Sequence, residues 1–129
     1  MIQKLKILPP TLRDKKRYIA FEVLSQGPVG RDDIISMLLD ASLYLYGACG
    51  TGKLELWVVK LWKCKTDKNI PETIMEYRMK GILRCKREEI DSAITIIPTI
   101  TNFRGKPIVF HTLGISGTIK SAIINFIKL

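Results

Sequence analysis

The fold class that this sequence predicts is an α+β, ferredoxin-like (RRM-like) sandwich, ordered β-α-β-β-α-β with an additional C-terminal helix. Three observations predict it. Four stretches are rich in apolar and aromatic residues that alternate with a period near two. Two stretches set between them, and a third after them, repeat apolar residues at helical spacing. The chain has 129 residues with a 47% hydrophobic share, enough for one such core.

Residues 1–16 read as a basic N-terminal arm and residues 17–129 as a single α/β sandwich domain. Pro9-Pro10 stiffens the arm, because proline continues neither a helix nor a central strand. Residues 17–25 form the first strand, with Ile19, Phe21 and Val23 on one face and Tyr18, Ala20, Glu22 and Leu24 on the other. A turn over 25–30 leads to the first helix, 31–46. Its apolar stripe is Ile35, Leu38, Leu39, Ser42 and Leu45, and Asp32 and Asp33 suit the positive end of its dipole. Gly47 suits its C-terminal end, and Gly47 to Gly52 read as a glycine-rich turn. The second strand is 53–64, where Leu56, Val58 and Trp62 alternate with Trp57, Val59 and Leu61, so that both faces are covered.

After a polar loop over 65–71, the third strand runs 73–85. Tyr77, Met79, Leu83 and Cys85 share the core face, while Arg78, Lys80 and Arg84 share the other with Ile82. The second helix, 87–97, repeats Ile90, Ala93, Ile94 and Ile97 and stops at Pro98. A turn over 101–106 precedes the fourth strand, 107–115. The third helix starts at Ser116-Gly117-Thr118 and carries Ile119, Ala122, Ile123, Phe126 and Ile127. It must bury that stripe on the open sheet face or at one end.

The net charge is +9, and its placement says more than its size. Residues 1–17 carry a net +5 and residues 104–129 a net +4, while the middle is neutral. Positive charge gathered at both ends is the footprint of a nucleic-acid partner. Cys49, Cys64 and Cys85 stand far apart and His111 is the only histidine. Structural zinc needs paired N or S ligands, and an odd cysteine count builds no disulfide framework. The expectation is buried free thiols, with no metal and no cofactor bound by the protein. A lone histidine also leaves no Ser-His-Asp or Cys-His device. The first ten residues lack the apolar block of a signal peptide, and no apolar run approaches the roughly 20 residues of a membrane span. The expected location is the cytoplasm, with no membrane partner.

Gly47-Ala48-Cys49-Gly50-Thr51-Gly52-Lys53 matches most of a P-loop. Leu54, however, stands where Ser or Thr should hold magnesium, and the segment follows a helix instead of a strand. Gly27-Pro28-Val29-Gly30-Arg31 occupies the place of the acylphosphatase phosphate cradle, but Asp32 and Asp33 follow at once and would repel a small anion. A small phosphohydrolase of that type is one alternative function; a plain protein-interaction dimer is another. Lys80-Gly81 begins like a strand of the RNA-recognition motif, yet Ile82 and Cys85 stand where stacking aromatics belong. Arg78, Lys80 and Arg84 suit phosphates better than bases. At Ser116-Gly117-Thr118-Ile119-Lys120 a helix start offers free N–H groups beside a cation. Together with Arg13, Lys15, Lys16 and Arg17, these are the candidate RNA-binding residues. No residue reads as catalytic.

Two stretches carry a family resemblance. Leu8-Pro9-Pro10-Thr11-Leu12-Arg13-Asp14-Lys15-Lys16-Arg17-Tyr18-Ile19-Ala20-Phe21 resembles the opening of archaeal ribonuclease P protein component 2, with its proline pair, basic residues and Arg-Tyr-(apolar)-Ala-Phe strand. Ser116-Gly117-Thr118-Ile119-Lys120 resembles the C-terminal signature of that family, and Leu83-Arg84-Cys85 fits between them. The Gly47–Gly52 stretch has no counterpart in the resemblance. The resemblance implies a protein subunit of the RNA-based endoribonuclease that removes the 5′ leader of precursor tRNA, with Mg2+ and the chemistry on the RNA. Its implied partners are ribonuclease P RNA, precursor tRNA and the barrel-fold protein component 3, the pair doubling into a heterotetramer. Arg13, Lys15, Lys16, Arg17 and Lys120 would neutralise phosphates near the active site of the RNA. Trp57 or Trp62 would dock the protein partner.

Overall fold

The computed structural model describes residues 15–64 and 77–127. The arm with Arg13, the polar loop over 65–71 and the start of the expected third strand lie outside the described residues. The elements are β1 (Lys16–Ser25), α1 (Arg31–Leu54), β2 (Trp57–Cys64), β3 (Tyr77–Lys86), α2 (Ile90–Ile96), β4 (Asn102–Phe103), β5 (Lys106–Ser116) and α3 (Ile119–Phe126). Single tighter turns, Arg87–Glu89 and Ile97–Thr99, flank α2. All strand pairs are antiparallel, in the order β2-β3-β1-β5-β4. With the short β4 set aside this is the ferredoxin-like order: β1 and β2 run the same way, and β3 is inserted between them.

The main core lies between the sheet and the layer formed by α1 and α2. β1 contributes Ile19, Phe21 and Val23, and β3 contributes Met79, Leu83 and Cys85, as the period-two reading expects; Tyr77, expected beside them, is exposed. In α1 the buried line is Ile34, Leu38 and Ser42. This is an i, i+4, i+8 row, rotated from the expected stripe, and Leu39 and Leu45 face solvent instead.

Gly47 does not end the helix. Its φ of 72° and ψ of −178° bend α1, and a second helical limb runs on to Leu54. The expected glycine-rich turn is therefore helix, and it builds no loop of splayed N–H groups for a phosphate. The Oγ atoms of Ser42 and Thr51 meet at 2.8 Å across the bend, and Leu54 is fully buried. The Tyr46 hydroxyl donates to the Ser92 carbonyl at 3.0 Å, fastening α1 to α2. By length and composition α1 could cross a membrane. The bend divides it, however, and Ile34 and Leu38 pack into the sheet core.

The second strand begins at Trp57, later than the expected residue 53. A register shift between Val58 and Lys60 changes its phase. Val58 and Leu61 consequently face the helix layer, while Val59 and Trp62 face the other side. Strict alternation had put Trp62 with Val58. The turn expected over 101–106 contains a small extra strand, β4. It joins β5 through Arg104 and Gly105, both at positive φ (51° and 80°), the geometry of a type I′ hairpin.

α3 packs on the open sheet face. Ala122 and Ile127 are buried against Ala20 and Ile82, with Tyr18, Val59, Trp62, Leu113 and Phe126 around them. Ile119 and Ile123, expected in the stripe, are exposed. Thr118 caps the helix, its Oγ1 accepting from the Ser121 N–H at 3.1 Å. Gly114 permits the close approach: a Cβ there would lie 2.2 Å from the Phe126 ring.

Of the three thiols only Cys85 is buried; Cys49 is exposed and Cys64 partly so, contrary to the expectation for all three. Burial pushes the Cys85 thiol from the usual 9.0 up to about 11, against the pull of Lys16 and Arg17. Its folded form holds the proton more tightly than the unfolded form. Its contribution to stability is thus complete below pH 9.0 and is lost as pH rises toward 11. Two outcomes follow from this packing. Gly47→Ala forces a side chain into a glycine-only region and lowers stability by about 1–3 kcal/mol in denaturant melts. Maleimide at pH 8 labels Cys49 promptly and leaves Cys85 untouched until the chain unfolds; equal labelling would refute the burial.

Candidate nucleic-acid interface

The antiparallel ladder gathers cations that the sequence scatters. β1 begins where β3 ends, so Lys16 lies opposite Lys86, Arg17 opposite Cys85 and Tyr18 opposite Arg84. β5 ends at the same place, with Ser116 opposite Tyr18. The Arg87 N–H donates to the Lys15 carbonyl at 2.9 Å, extending the ladder by one step. This end of the sheet therefore holds Lys15, Lys16, Arg17, Arg84, Lys86 and Arg87, with Ser116, Gly117, Thr118 and Lys120 at the adjoining start of α3. Lys15, Arg87 and Lys120 are exposed.

Acids sit among them as well: Glu88 and Glu89 follow Arg87, and Glu55 faces Lys16. Glu55, at φ 51° and ψ 49°, closes the turn from α1 to β2 and is ion-paired with Lys16. The hydrogen bond from Lys16, with the charges of Lys86 and Arg84, holds its carboxyl below the usual range. Its contribution is therefore present above the ordinary carboxylate pKa of 4.5 and is lost as pH falls below it. Lys16 is thus engaged within the fold, while its neighbours carry the outward charge.

The sequence reading named Lys15, Lys16, Arg17, Arg84, Ser116, Gly117, Thr118 and Lys120, and the structure brings these to one end. It missed Lys86 and Arg87, although Arg84-Cys85-Lys86-Arg87 is itself a basic run directly after the expected strand end. Arg78 and Lys80 do not join them. The expected row of cations on β3 is not a solvated face: Lys80 is buried, opposite Glu22, and Arg78 is tied to Glu22. The Glu22 carboxylate, 6% exposed, accepts from Arg78 Nε at 2.7 Å and Nη2 at 2.6 Å through Oε2. His111 Nε2 lies 2.8 Å from Oε1. A buried charge persists only when so partnered.

The acylphosphatase-like loop is also spoken for. Arg31 Nη2 donates to the Val58 carbonyl at 2.6 Å, bracing β2, while Asp33 accepts from the Gly30 N–H at 3.1 Å. The loop and arginine act as a helix start and a strut, not as a cradle.

A model of the Rpp14/Pop5 family matches residues 17–127. The chain is similar to ribonuclease P protein component 2 of Methanothermobacter thermautotrophicus, with 40% identity over 124 residues, 96% of this chain and 94% of that relative. Against the protein of the same description in Pyrococcus horikoshii it is 41% identical over 120 residues, 93% and 89% of the two chains. Against that of Methanocaldococcus jannaschii the identity is 38% over 129 residues, 100% and 85%.

The Glu22 cluster separates structural from interfacial cations. Arg78→Ala leaves the buried carboxylate one partner fewer and destabilises by about 1–3 kcal/mol. Lys15→Ala changes stability by less than about 0.5 kcal/mol. Urea melts of the two variants check this, and equal midpoints would contradict it.

Proposed function

The chain belongs to the Rpp14/Pop5 family, and we propose that it serves ribonuclease P by holding the RNA of that enzyme with the cationic end of its sheet. As a ribonuclease P protein subunit it acts in tRNA processing, in association with the RNA and with other protein subunits. The observation that carries the reading is the convergence of β1, β3, the turn at Arg87 and the start of α3 on one basic surface. Phosphates packed around an RNA active site repel one another, and fixed cations reduce that repulsion. Here Lys15, Arg17, Arg87 and Lys120 supply the charge, and Thr118 and Gly117 expose backbone at a helix start. In this reading Mg2+ and the bond cleavage that frees the 5′ leader of precursor tRNA belong to the RNA. The protein orients and screens.

The protein partner, protein component 3 in this proposal, fits a different face. Leu39, Leu43, Tyr44 and Leu45 of α1 are exposed, on the layer away from α3. Apolar exposure of this kind on one helix suits a subunit contact. A heterotetramer would form if two such pairs joined.

Affinity for ribonuclease P RNA, measured by filter binding between 50 and 500 mM salt, should fall steeply. Each of Lys15→Ala, Arg17→Ala and Arg87→Ala should lower the slope of log K against log salt by about 0.7–0.9. Slopes unchanged in all three variants would place the RNA elsewhere.

A further inference from the structure

Trp57 is a costly residue to leave in water, and the fold leaves it there. It is 58% exposed at the first position of β2, which among the described residues pairs only with β3. Its backbone is clamped on both sides. Two residues before it, Glu55 holds a left-handed conformation that few side chains adopt and is ion-paired with Lys16. One residue after it, the Val58 carbonyl accepts from Arg31 at 2.6 Å. The indole is thus presented on a fixed backbone, a preorganised surface. Its cross-strand neighbour is Arg84, whose buried Nε has no hydrogen-bond partner among the described residues. Lys86 acts, with Arg84, on the adjacent Glu55 carboxyl.

An exposed indole with a cation, Arg84, directly across the strand suits a flat, uncharged ring that carries an anionic backbone. We propose that Trp57 is a stacking platform for one unpaired nucleobase of ribonuclease P RNA, with Arg84 beside it for a polar edge or the adjoining phosphate. This rests on the reading that the cationic end meets RNA, and it goes beyond that reading by naming an unpaired base as the ligand. The apolar groove between α1 and β2, one wall of which is Trp57, is the competing place for a protein side chain. Arg84 across the strand and Arg31 in the groove wall favour the nucleotide.

The test uses the full chain carrying Trp62→Phe, so that emission reports Trp57 alone. A ten-nucleotide oligouridylate should quench that emission saturably, and a duplex of the same length should not. Trp57→Ala should weaken binding of ribonuclease P RNA by roughly 5- to 100-fold, the range for one stacked base. The salt slope should stay unchanged, and Trp57→Tyr should restore most of the affinity. If Trp57→Ala binds the RNA as the parent does, with the same salt slope, the stacking inference is overturned while the phosphate-holding reading stands. If the parent chain itself shows no salt-dependent RNA binding, both fail. If the variant keeps its RNA affinity but loses association with protein component 3, the indole is a protein contact and the inference is wrong.

Discussion

The five-stranded sheet has two faces, and α1 and α2 cover only one. What becomes of the second face decides most of what this molecule can do. Half of it is sealed by α3, whose Ala122 and Ile127 press on Ala20 and Ile82 while Phe126 lies over Gly114. The other half holds Glu22, buried and partnered by Arg78 and His111. In related folds the open face stacks unpaired bases. Here that surface is filled by packing on one side and by satisfied charges on the other. The cations left outside that packing gather at the strand ends, where the proposed contact with RNA falls.

Those strand ends are a product of register. Lys16 meets Lys86, Tyr18 meets both Arg84 and Ser116, and Arg87 reaches back to Lys15 through its backbone. A slip of one residue in β1 would turn Ile19, Phe21 and Val23 out of the core, so the hydrophobic pattern holds the charges in place as well. The positive end therefore costs no separate device. It is held by the same pairing that buries the core, apart from one ion pair, Lys16 with Glu55, which fixes the approach to β2.

Much of this was legible beforehand. β1 and β3 alternate cleanly, so their faces and their place in the core could be read directly. The basic opening and the Ser116–Lys120 segment marked two pieces of the cationic end. Other features depend on tertiary context. Gly47 looked like a stop because glycine commonly ends helices, but a bend followed by a second limb uses the same freedom of φ. A shift inside β2 reversed the expected side of Trp62, since one inserted residue changes every later position. Arg78 and Lys80 were indistinguishable from surface cations until the cross-strand partner, Glu22, was placed beside them. The α1 stripe was misjudged by part of a turn because that helix is apolar on more than one side.

The sheet has two margins, and each is guarded. At one, the two-residue β4 covers only Lys106 and Pro107 of β5, and the rest of β5 is bulged at Leu113. At the other, β2 breaks its own hydrogen-bonding rhythm near Val58 and carries the exposed Lys60 and Lys63. Each margin is broken by a bulge, so neither offers a second chain a long, regular template for adding strands. A subunit of a ribonucleoprotein is made separately from its RNA and spends time alone after synthesis. Blunt borders let such an orphan wait in solution without seeding fibres.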